Sequence, residues 1–305
     1  MTVAQPTAAP AKTTVPASPL QRAAPMLFVL LWSTGFIGAK LGLPYTGPMT
    51  FLAVRFVLVA VLTAPFALLS GTRWPRSPAL LLHIAVVGLL MQFVYLGGVF
   101  VGIAHGVPAG ISALIVGLQP ILTAALAGLV LGEKIRPRQW LGLALGLIGV
   151  ALVVVNPALL DRDRLGAAGV TILAMIGITV GTLYQKRFCT GVDLRATVVL
   201  QNAVAGLAMV PAALTFEPFV IDWSPRFIFA IAWLAIVLSL GATMLLFYLI
   251  RHGAASRVSS LFYLTPAVTA VMAFLLFGEV LSPLALVGMV LAAAGVWAVN
   301  SGART

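Results

Sequence analysis

Arg55 has unusual chemistry for its place in the sequence, because it lies about two turns inside a long apolar run. If that run crosses a bilayer, a guanidinium there costs about 2.5–3.5 kcal/mol on insertion scales, so it should pair or face water. One hypothesis is that Arg55 contacts a solute or a gate. The alternative is a structural cation that bonds helix-end carbonyls or snorkels outward, and the sequence leaves both open.

Aromatic and amide side chains inside the apolar runs could supply the rest of a binding wall. They are Trp32, Gln92, Tyr95, Gln119, Tyr184, Gln201, Tyr248 and Tyr263. Such groups would contact a small, partly apolar solute. Taken singly, each residue also fits helix packing or an aromatic belt at the membrane interface. The set therefore predicts a solute path, with packing as the alternative for each member.

Two prolines, Pro120 and Pro266, lie inside apolar runs and are predicted hinges. Proline removes a backbone hydrogen bond, and the freed carbonyl must be satisfied within the protein or by water in a cavity. Their equivalent places in two copies of a repeated pattern favour kinked helices that flex along a transport path. A static kink that only shapes packing is the alternative.

The carboxylates lie where a proton relay is not expected. All seven fall at the ends of apolar runs or between them, and the three histidines lie near such ends. Proton relays through membranes use buried Asp, Glu or His. We expect facilitated or exchange transport, or coupling through a group that the sequence does not reveal. Glu133 and Glu279 are expected to contact backbone donors or basic side chains at their connections.

Signatures of enzymatic chemistry are weak. The sequence contains no HExxH, no GxSxG and no P-loop, and its one cysteine, Cys189, permits neither an internal disulfide nor a metal cluster. We expect no enzyme activity, no cofactor and no bound metal. The expected partners are a small-molecule solute and the lipid bilayer, with a homodimer allowed for and no nucleic acid.

The composition explains why lipid is the expected solvent. Of 305 residues, 61% are hydrophobic and 8% are charged, whereas a soluble domain is about 25% charged. The net charge of +11 does not indicate nucleic-acid binding, because the basic residues occupy short connections between apolar runs. We therefore predict an all-α integral membrane protein.

A bilayer core about 30 Å thick needs roughly 20 apolar residues per helix. Residues 1–25 are rich in Ala, Pro and Thr, which predicts a disordered cytoplasmic tail. Beyond it we predict ten transmembrane helices, at about 26–43, 49–70, 79–104, 108–131, 138–155, 166–188, 196–215, 226–250, 255–277 and 283–300.

The distribution of Lys and Arg predicts the orientation of these helices. With the N-terminus inside, the inner connections and tails carry 13 of these residues and the outer connections carry 4. Such an excess is typical of the cytoplasmic side. Both termini are therefore expected in the cytoplasm, with Lys40 as an anchor at the outer interface.

One pattern occurs twice in the chain. The stretch LVLGEKIRPRQWLG from Leu129 to Gly142 returns 146 residues later as LLFGEVLSPLALVG from Leu275 to Gly288. Residues 120–153 and 266–299 share 13 identities in 34 positions. Because each repeat has five helices, an odd number, the two copies must enter the membrane from opposite sides. Such inverted repeats are common in secondary transporters. We predict repeats at 26–156 and 166–300.

These residues resemble a known family, the EamA-type transporters of the drug/metabolite transporter superfamily. The resemblance rests on Trp32–Thr34, on Arg55, and on the motif from Pro120 through Gly132-Glu133 to Gly149 with its copy from Pro266 through Gly278-Glu279 to Gly295. It implies ten helices around a central cavity and export of metabolites, amino acids or drugs by alternating access across an inner membrane. Gln201 departs from strict symmetry, because it is the counterpart of Arg55. A lipid or lipid-linked sugar flippase and a membrane scaffold remain the alternatives.

Overall fold

The computed structural model describes residues 19–131, 137–154, 162–252 and 261–301, and these are almost entirely helical. The α-helices, numbered in chain order, are α1 Pro19–Gly42, α2 Pro48–Leu69, α3 Pro78–Gly88, α4 Tyr95–Ala104, α5 Ala109–Val116, α6 Gln119–Leu131, α7 Pro137–Val154, α8 Arg162–Phe188, α9 Leu194–Phe216, α10 Pro225–Ala232, α11 Thr243–His252, α12 Thr265–Phe277 and α13 Pro283–Ser301. Two π-helical segments, Leu89–Val94 and Trp233–Ala242, join α3 to α4 and α10 to α11.

Proline and glycine define the ends of several helices. Pro48, Pro78 and Pro225 each stand at the first position of a helix, where the missing N–H is not needed and the fixed φ suits the helix. Gly278 ends α12 with φ 67° and ψ 22°, a left-handed conformation that glycine adopts without steric cost.

Seven helices in the described residues are long and apolar enough to cross a membrane, and three shorter apolar helices accompany them. This confirms a multi-pass, all-helical membrane fold, while the count of ten spans remains a prediction. The first helix begins at Pro19, so residues 19–25 belong to the helix and not to the predicted tail. The rest of that tail and the turn at Gly132–Glu133 lie outside the described residues.

The fourth predicted run, 108–131, is not one continuous helix. It is divided into α5 and α6 by a turn at Gly117–Leu118. Pro120 is the second residue of α6, and Pro266 is the second residue of α12, after the 3-10 turn Phe262–Leu264. The sequence predicts that both prolines kink unbroken helices, but each lies in the first turn of its helix, where no N–H is required.

Helices at equivalent positions of the repeat pack against each other in opposite directions. A Cβ added to Gly149 of α7 would lie 2.5 Å from the carbonyl oxygen of Gly288 in α13. A Cβ added to Gly295 of α13 would lie 2.6 Å from the carbonyl oxygen of Gly142 in α7. The two contacts are equivalent, because Gly149 corresponds to Gly295 and Gly142 to Gly288 by the offset of 146 residues. The later residue of α7 meets the earlier residue of α13, and the reverse, so α7 and α13 are antiparallel.

The other equivalent pair, α2 and α9, is also antiparallel and is joined at both ends. The Glu217 carboxylate accepts hydrogen bonds from the backbone N–H groups of Met49 and Thr50, each at 2.8 Å, at the start of α2. At the other end, Arg195 donates to the carbonyl of Ser70 at 2.8 Å. Backbone groups left open at helix ends are thus satisfied across the pair.

Candidate solute cavity

A cavity of about 210 Å³ lies between helices from both halves of the chain. It is lined by Trp32, Gly35, Phe36, Arg55, Met91, Gln92, Tyr95, Leu96, Val99, Phe100, Ile178, Val198, Gln201, Asn202, Leu238, Ser239 and Thr243. Three pairs of these residues are 146 residues apart, namely Trp32 with Ile178, Arg55 with Gln201, and Gln92 with Leu238. The cavity therefore lies where equivalent parts of the two copies meet.

Both π-helical segments contribute to the cavity wall. Met91 and Gln92 come from Leu89–Val94, and Leu238 and Ser239 come from Trp233–Ala242. The two segments occupy corresponding places in the repeat, since Leu89 corresponds to Ala235 by the offset of 146 residues. Such segments interrupt regular helical hydrogen bonding and are frequent at functional sites.

Arg55 is oriented by Ser239, a residue of the opposite half. The guanidinium, in a residue with 7% exposure, donates to the Ser239 hydroxyl oxygen at 3.2 Å. That hydroxyl in turn donates to the carbonyl of Leu234 at 2.8 Å, five residues earlier. The i−5 spacing of this contact matches the π-helical segment that holds Ser239.

Gln201 contributes a second polar group to the cavity. It is 7% exposed, and its Nε2 has no hydrogen-bond partner in the part of the chain that the structure describes. A buried amide donor without a partner costs roughly 1–3 kcal/mol. The wall of the cavity thus includes a residue with an unsatisfied buried donor.

Aromatic and aliphatic side chains form the remainder of the wall. Trp32 packs edge-on against Phe262 with ring centroids 5.3 Å apart, which fixes the orientation of its ring. Phe36 and Phe100 belong to a buried cluster that also contains Phe51, whose ring lies 5.3 Å from that of Phe100.

The structure brings together five of the nine predicted path residues: Trp32, Arg55, Gln92, Tyr95 and Gln201. Gln119 instead donates to the hydroxyls of Thr123 and Thr182, each at 3.3 Å. Tyr184 shares a hydrogen bond of 2.8 Å with Nδ1 of His83. Gln119 and Tyr184 both lie outside the cavity wall.

Tyr248 packs with the aromatic group around Phe28 and does not line the cavity. Tyr263 falls in the turn Phe262–Leu264, and its side chain lies outside the description. Pro120 and Pro266 are also absent from the wall, but Pro266 contacts the other half, because a Cβ on Gly117 would lie 2.8 Å from its Cγ.

Sequence reasoning missed Asn202, Ser239 and Thr243, which line the cavity. Asn202 directly follows Gln201, and its amide donates to the carbonyl of Val198 at 2.8 Å. Ser239 and Thr243 are ordinary residues in an apolar run. Ser239 lies in the π-helical segment Trp233–Ala242, and Thr243 is the first residue of α11. No signal in the sequence marks Ser239, because its counterpart by the offset of 146 residues is the apolar Phe93.

An ion pair between the two halves lies at one end of the bundle. Lys40 binds the carboxylate of Glu279, which also accepts from the backbone N–H groups of Ala109 at 3.1 Å and Gly110 at 3.4 Å. This confirms the expected contacts of Glu279. Lys40 is predicted to be an anchor at the outer interface, and in the structure it also forms an ion pair that joins the two halves.

Asp193 holds the start of α9 at the opposite end. It accepts from the backbone N–H of Arg195 at 3.0 Å and from its guanidinium at 2.8 Å. The hydrogen bond from the Arg195 side chain lowers the pKa of Asp193 from its ordinary value to about 2. Within the described residues there is no group of three or more His, Cys, Asp or Glu side chains that could hold a metal ion.

Comparison with known proteins agrees with the membrane fold. The sequence model of the EamA-like transporter family matches twice, at residues 23–155 and 165–301. The "Uncharacterized inner membrane transporter YedA" of Escherichia coli K12 is 28% identical over 253 residues, which cover 83% of this chain and 81% of that protein.

Two further relatives have names that describe a solute. The "Probable amino-acid metabolite efflux pump" of Salmonella typhimurium LT2 is 27% identical over 285 residues, covering 89% of this chain and 92% of that protein. The "Probable terminal-alkyne amino-acid exporter" of Streptantibioticus cattleyicolor is 29% identical over 292 residues, covering 90% and 91%. A crystal structure with 18% identity superposes with a TM-score of 0.66 over 92% of this chain and 96% of that chain, which shows the fold alone.

Fold, cavity and relatives together define a polytopic inner-membrane protein that transports small solutes. The chain belongs to the EamA-like transporter family.

Proposed function

We propose that the central cavity is the binding site of a small-solute exporter, opened to one side of the membrane at a time. The observation that carries this proposal is that equivalent residues of both copies, Arg55 and Gln201 among them, line one cavity. A site between two halves becomes accessible from either side when the halves move against each other. Export as the direction is supported by the names of the relatives.

The two copies, 26–156 and 166–300, are proposed to be inverted relative to each other. The antiparallel pairing of α7 with α13 and of α2 with α9 supports this. If equivalent helices run in opposite directions, the axis relating them lies across the helices, in the plane of the membrane. The distribution of Lys and Arg then favours cytoplasmic termini.

On the outer side of the membrane, the cavity is proposed to be closed by contacts that join the two halves. The ion pair of Lys40 with Glu279 and the packing of Phe51 against Phe227, with ring centroids 5.3 Å apart, both lie between them. Opening would separate these groups while α5, α6 and α12 bend near Gly117, Pro120 and Pro266. This keeps the hinge role of both prolines and places the bend at an existing break between helices.

A single chain contains the whole cavity, so the proposed cycle does not depend on a homodimer, and it involves no enzymatic step. The five carboxylates in the described residues all lie at helix ends or between helices, which favours exchange or facilitated transport over a carboxylate proton relay.

Transport by the purified protein in liposomes tests this proposal. The liposomes are challenged with apolar amino acids, cationic drugs and fluorescent lipid analogues, and uptake is compared with that of empty liposomes. We expect a soluble solute to exchange, and Trp32→Ala and Gln92→Ala to slow it at least several-fold, while the remote Gln185→Ala leaves the rate unchanged. Movement of lipid analogues alone, or equal rates for all variants, would contradict the proposal.

A further inference from the structure

The cavity wall carries one positive charge and one buried amide donor without a hydrogen-bond partner. Arg55 is the only charged residue in that wall as far as the structure describes the chain. The Nε2 of Gln201 is a second donor, and it has no partner among the described residues. A site with positive charge and spare donors discriminates against cations and in favour of anions.

Arg55 has donors left over after its contact inside the protein. A guanidinium has five N–H donors, and the structure records one hydrogen bond from it, to Ser239. The recorded ion pairs of the described residues join Lys40 to Glu279 and Arg195 to Asp193, and neither includes Arg55. A buried cation without an anion is costly, so a ligand that brings the anion recovers this cost on binding.

The size and walls of the cavity limit the rest of the ligand. About 210 Å³ is below the range of roughly 300–1,000 Å³ that is common for drug-sized ligands. Trp32, Phe36 and Leu238 offer apolar surface beside the donors. A small molecule with one anionic end and one apolar end fits both features.

We propose that Arg55 binds the carboxylate of the transported solute, with the Gln201 amide as a second donor and Ser239 as a positioning residue. The forked guanidinium matches a carboxylate in geometry. The solute class is then a small monocarboxylate or zwitterionic amino acid with an apolar group, and organic cations are excluded. This inference rests on the proposed function of the cavity and specifies its ligand.

Matched ligand pairs test the carboxylate requirement. Purified protein is melted with L-leucine or L-leucinamide, L-phenylalanine or L-phenylalaninamide, and 3-phenylpropanoate or its amide. We expect at least one carboxylate to raise Tm, and its amide partner to need a concentration about 10- to 100-fold higher, because hydrogen bonds to charged groups are the strong ones. Equal stabilisation by amides, or stabilisation by none of the carboxylates, overturns the inference.

Variants then assign the preference to Arg55. Arg55→Gln should abolish the preference for a carboxylate over its amide, and Arg55→Lys should keep part of that preference. Ser239→Ala should weaken carboxylate binding several-fold. Arg226→Gln, which removes an exposed arginine outside the cavity wall, is the matched control and should keep the full preference. Retention of the preference in Arg55→Gln overturns the inference.

The stability of the ligand-free variants separates binding from a structural role. If Arg55 serves the solute, Arg55→Gln should leave Tm unchanged or raise it, because a buried and unpaired charge is removed. A large fall in Tm would instead identify Arg55 as a structural cation and overturn the inference. Ser239→Ala keeps the charge of Arg55 and removes only the hydroxyl that accepts its hydrogen bond. Weaker carboxylate binding in this variant therefore supports the role of Arg55 without removing its charge.

Liposome transport of the same ligand pairs distinguishes two kinds of failure. If the solutes are transported with no preference for carboxylates, the inference is wrong and the proposed function stands. If none of these ligands is transported but another soluble solute is, the inference is wrong and the proposed function stands. If no soluble solute is transported above the rate of empty liposomes, both are wrong.

Discussion

Asp193 shows how one residue acts on the fold through charge and backbone together. Its carboxylate accepts from the backbone N–H of Arg195 and from that residue's side chain, so it both caps α9 and forms an ion pair. Replacing a capping aspartate by alanine costs about 1 kcal/mol. Asp193→Ala should therefore lower Tm more than Asp193→Asn, because asparagine keeps a capping oxygen.

The pH dependence of this contribution has a definite sign. The pKa of Asp193 in the folded protein, about 2, lies below the ordinary value of about 3.9. Stability from this carboxylate is present above about pH 4 and is lost as the pH falls through 2. The Tm difference between wild type and Asp193→Asn should shrink over that interval; a constant difference would show that the charge contributes nothing.

At the scale of elements, glycines permit the contact of α7 with α13. A side chain at Gly149 would meet the Gly288 carbonyl oxygen and the backbone nitrogen of Ala292, at 2.5 and 3.0 Å from its Cβ. Since both obstacles are backbone atoms, the helices would have to separate. Gly149→Leu and Gly295→Leu should each destabilise the protein by about 2 kcal/mol or more, as overpacked cores do.

The control for this prediction is Gly169 of α8, where an added Cβ would have nothing within 4 Å. Gly169→Ala should keep or raise Tm, since alanine is the better helix former by about 1 kcal/mol. Melting of the detergent-purified variants measures both effects. Equal Tm for Gly149→Leu and Gly169→Ala would show that the close approach of α7 and α13 is not needed for stability.

The ion pair of Lys40 with Glu279 gives a prediction about the junction of α1, α5 and α12. Glu279→Gln keeps the backbone contacts with Ala109 and Gly110 but removes the charge that Lys40 binds. In a Cys189→Ser background, we expect Leu238→Cys in the cavity wall to react several-fold faster with an impermeant maleimide added outside. Asp222→Asn, a change at an exposed carboxylate, should leave the rate of maleimide labelling unchanged. Equal labelling rates in Glu279→Gln and Asp222→Asn would show that the ion pair does not close the cavity on the outer side.

At the scale of the whole molecule, the decisive property is the opposite orientation of the two copies. Reporter tags should place the connection at residues 44–47 outside and the equivalent connection at residues 190–193, which lies 146 residues later, in the cytoplasm. The C-terminal tail should be cytoplasmic, like the N-terminus. Tags that put both connections on one side of the membrane would contradict the inverted arrangement and, with it, the proposed alternating access.

The amino-acid sequence determined the membrane class, the apolar runs and the repeat, because these depend on composition and on spacing along one chain. It also placed Arg55 and Gln201 at corresponding positions of the repeat, and the structure shows that both line one cavity. Tertiary structure decided which polar side chains share a cavity. Gln119 and Tyr184 form hydrogen bonds outside the cavity. Ser239 lines the cavity from a π-helical segment. A polar residue in a helix has several neighbouring helices to face, and only their packing selects one.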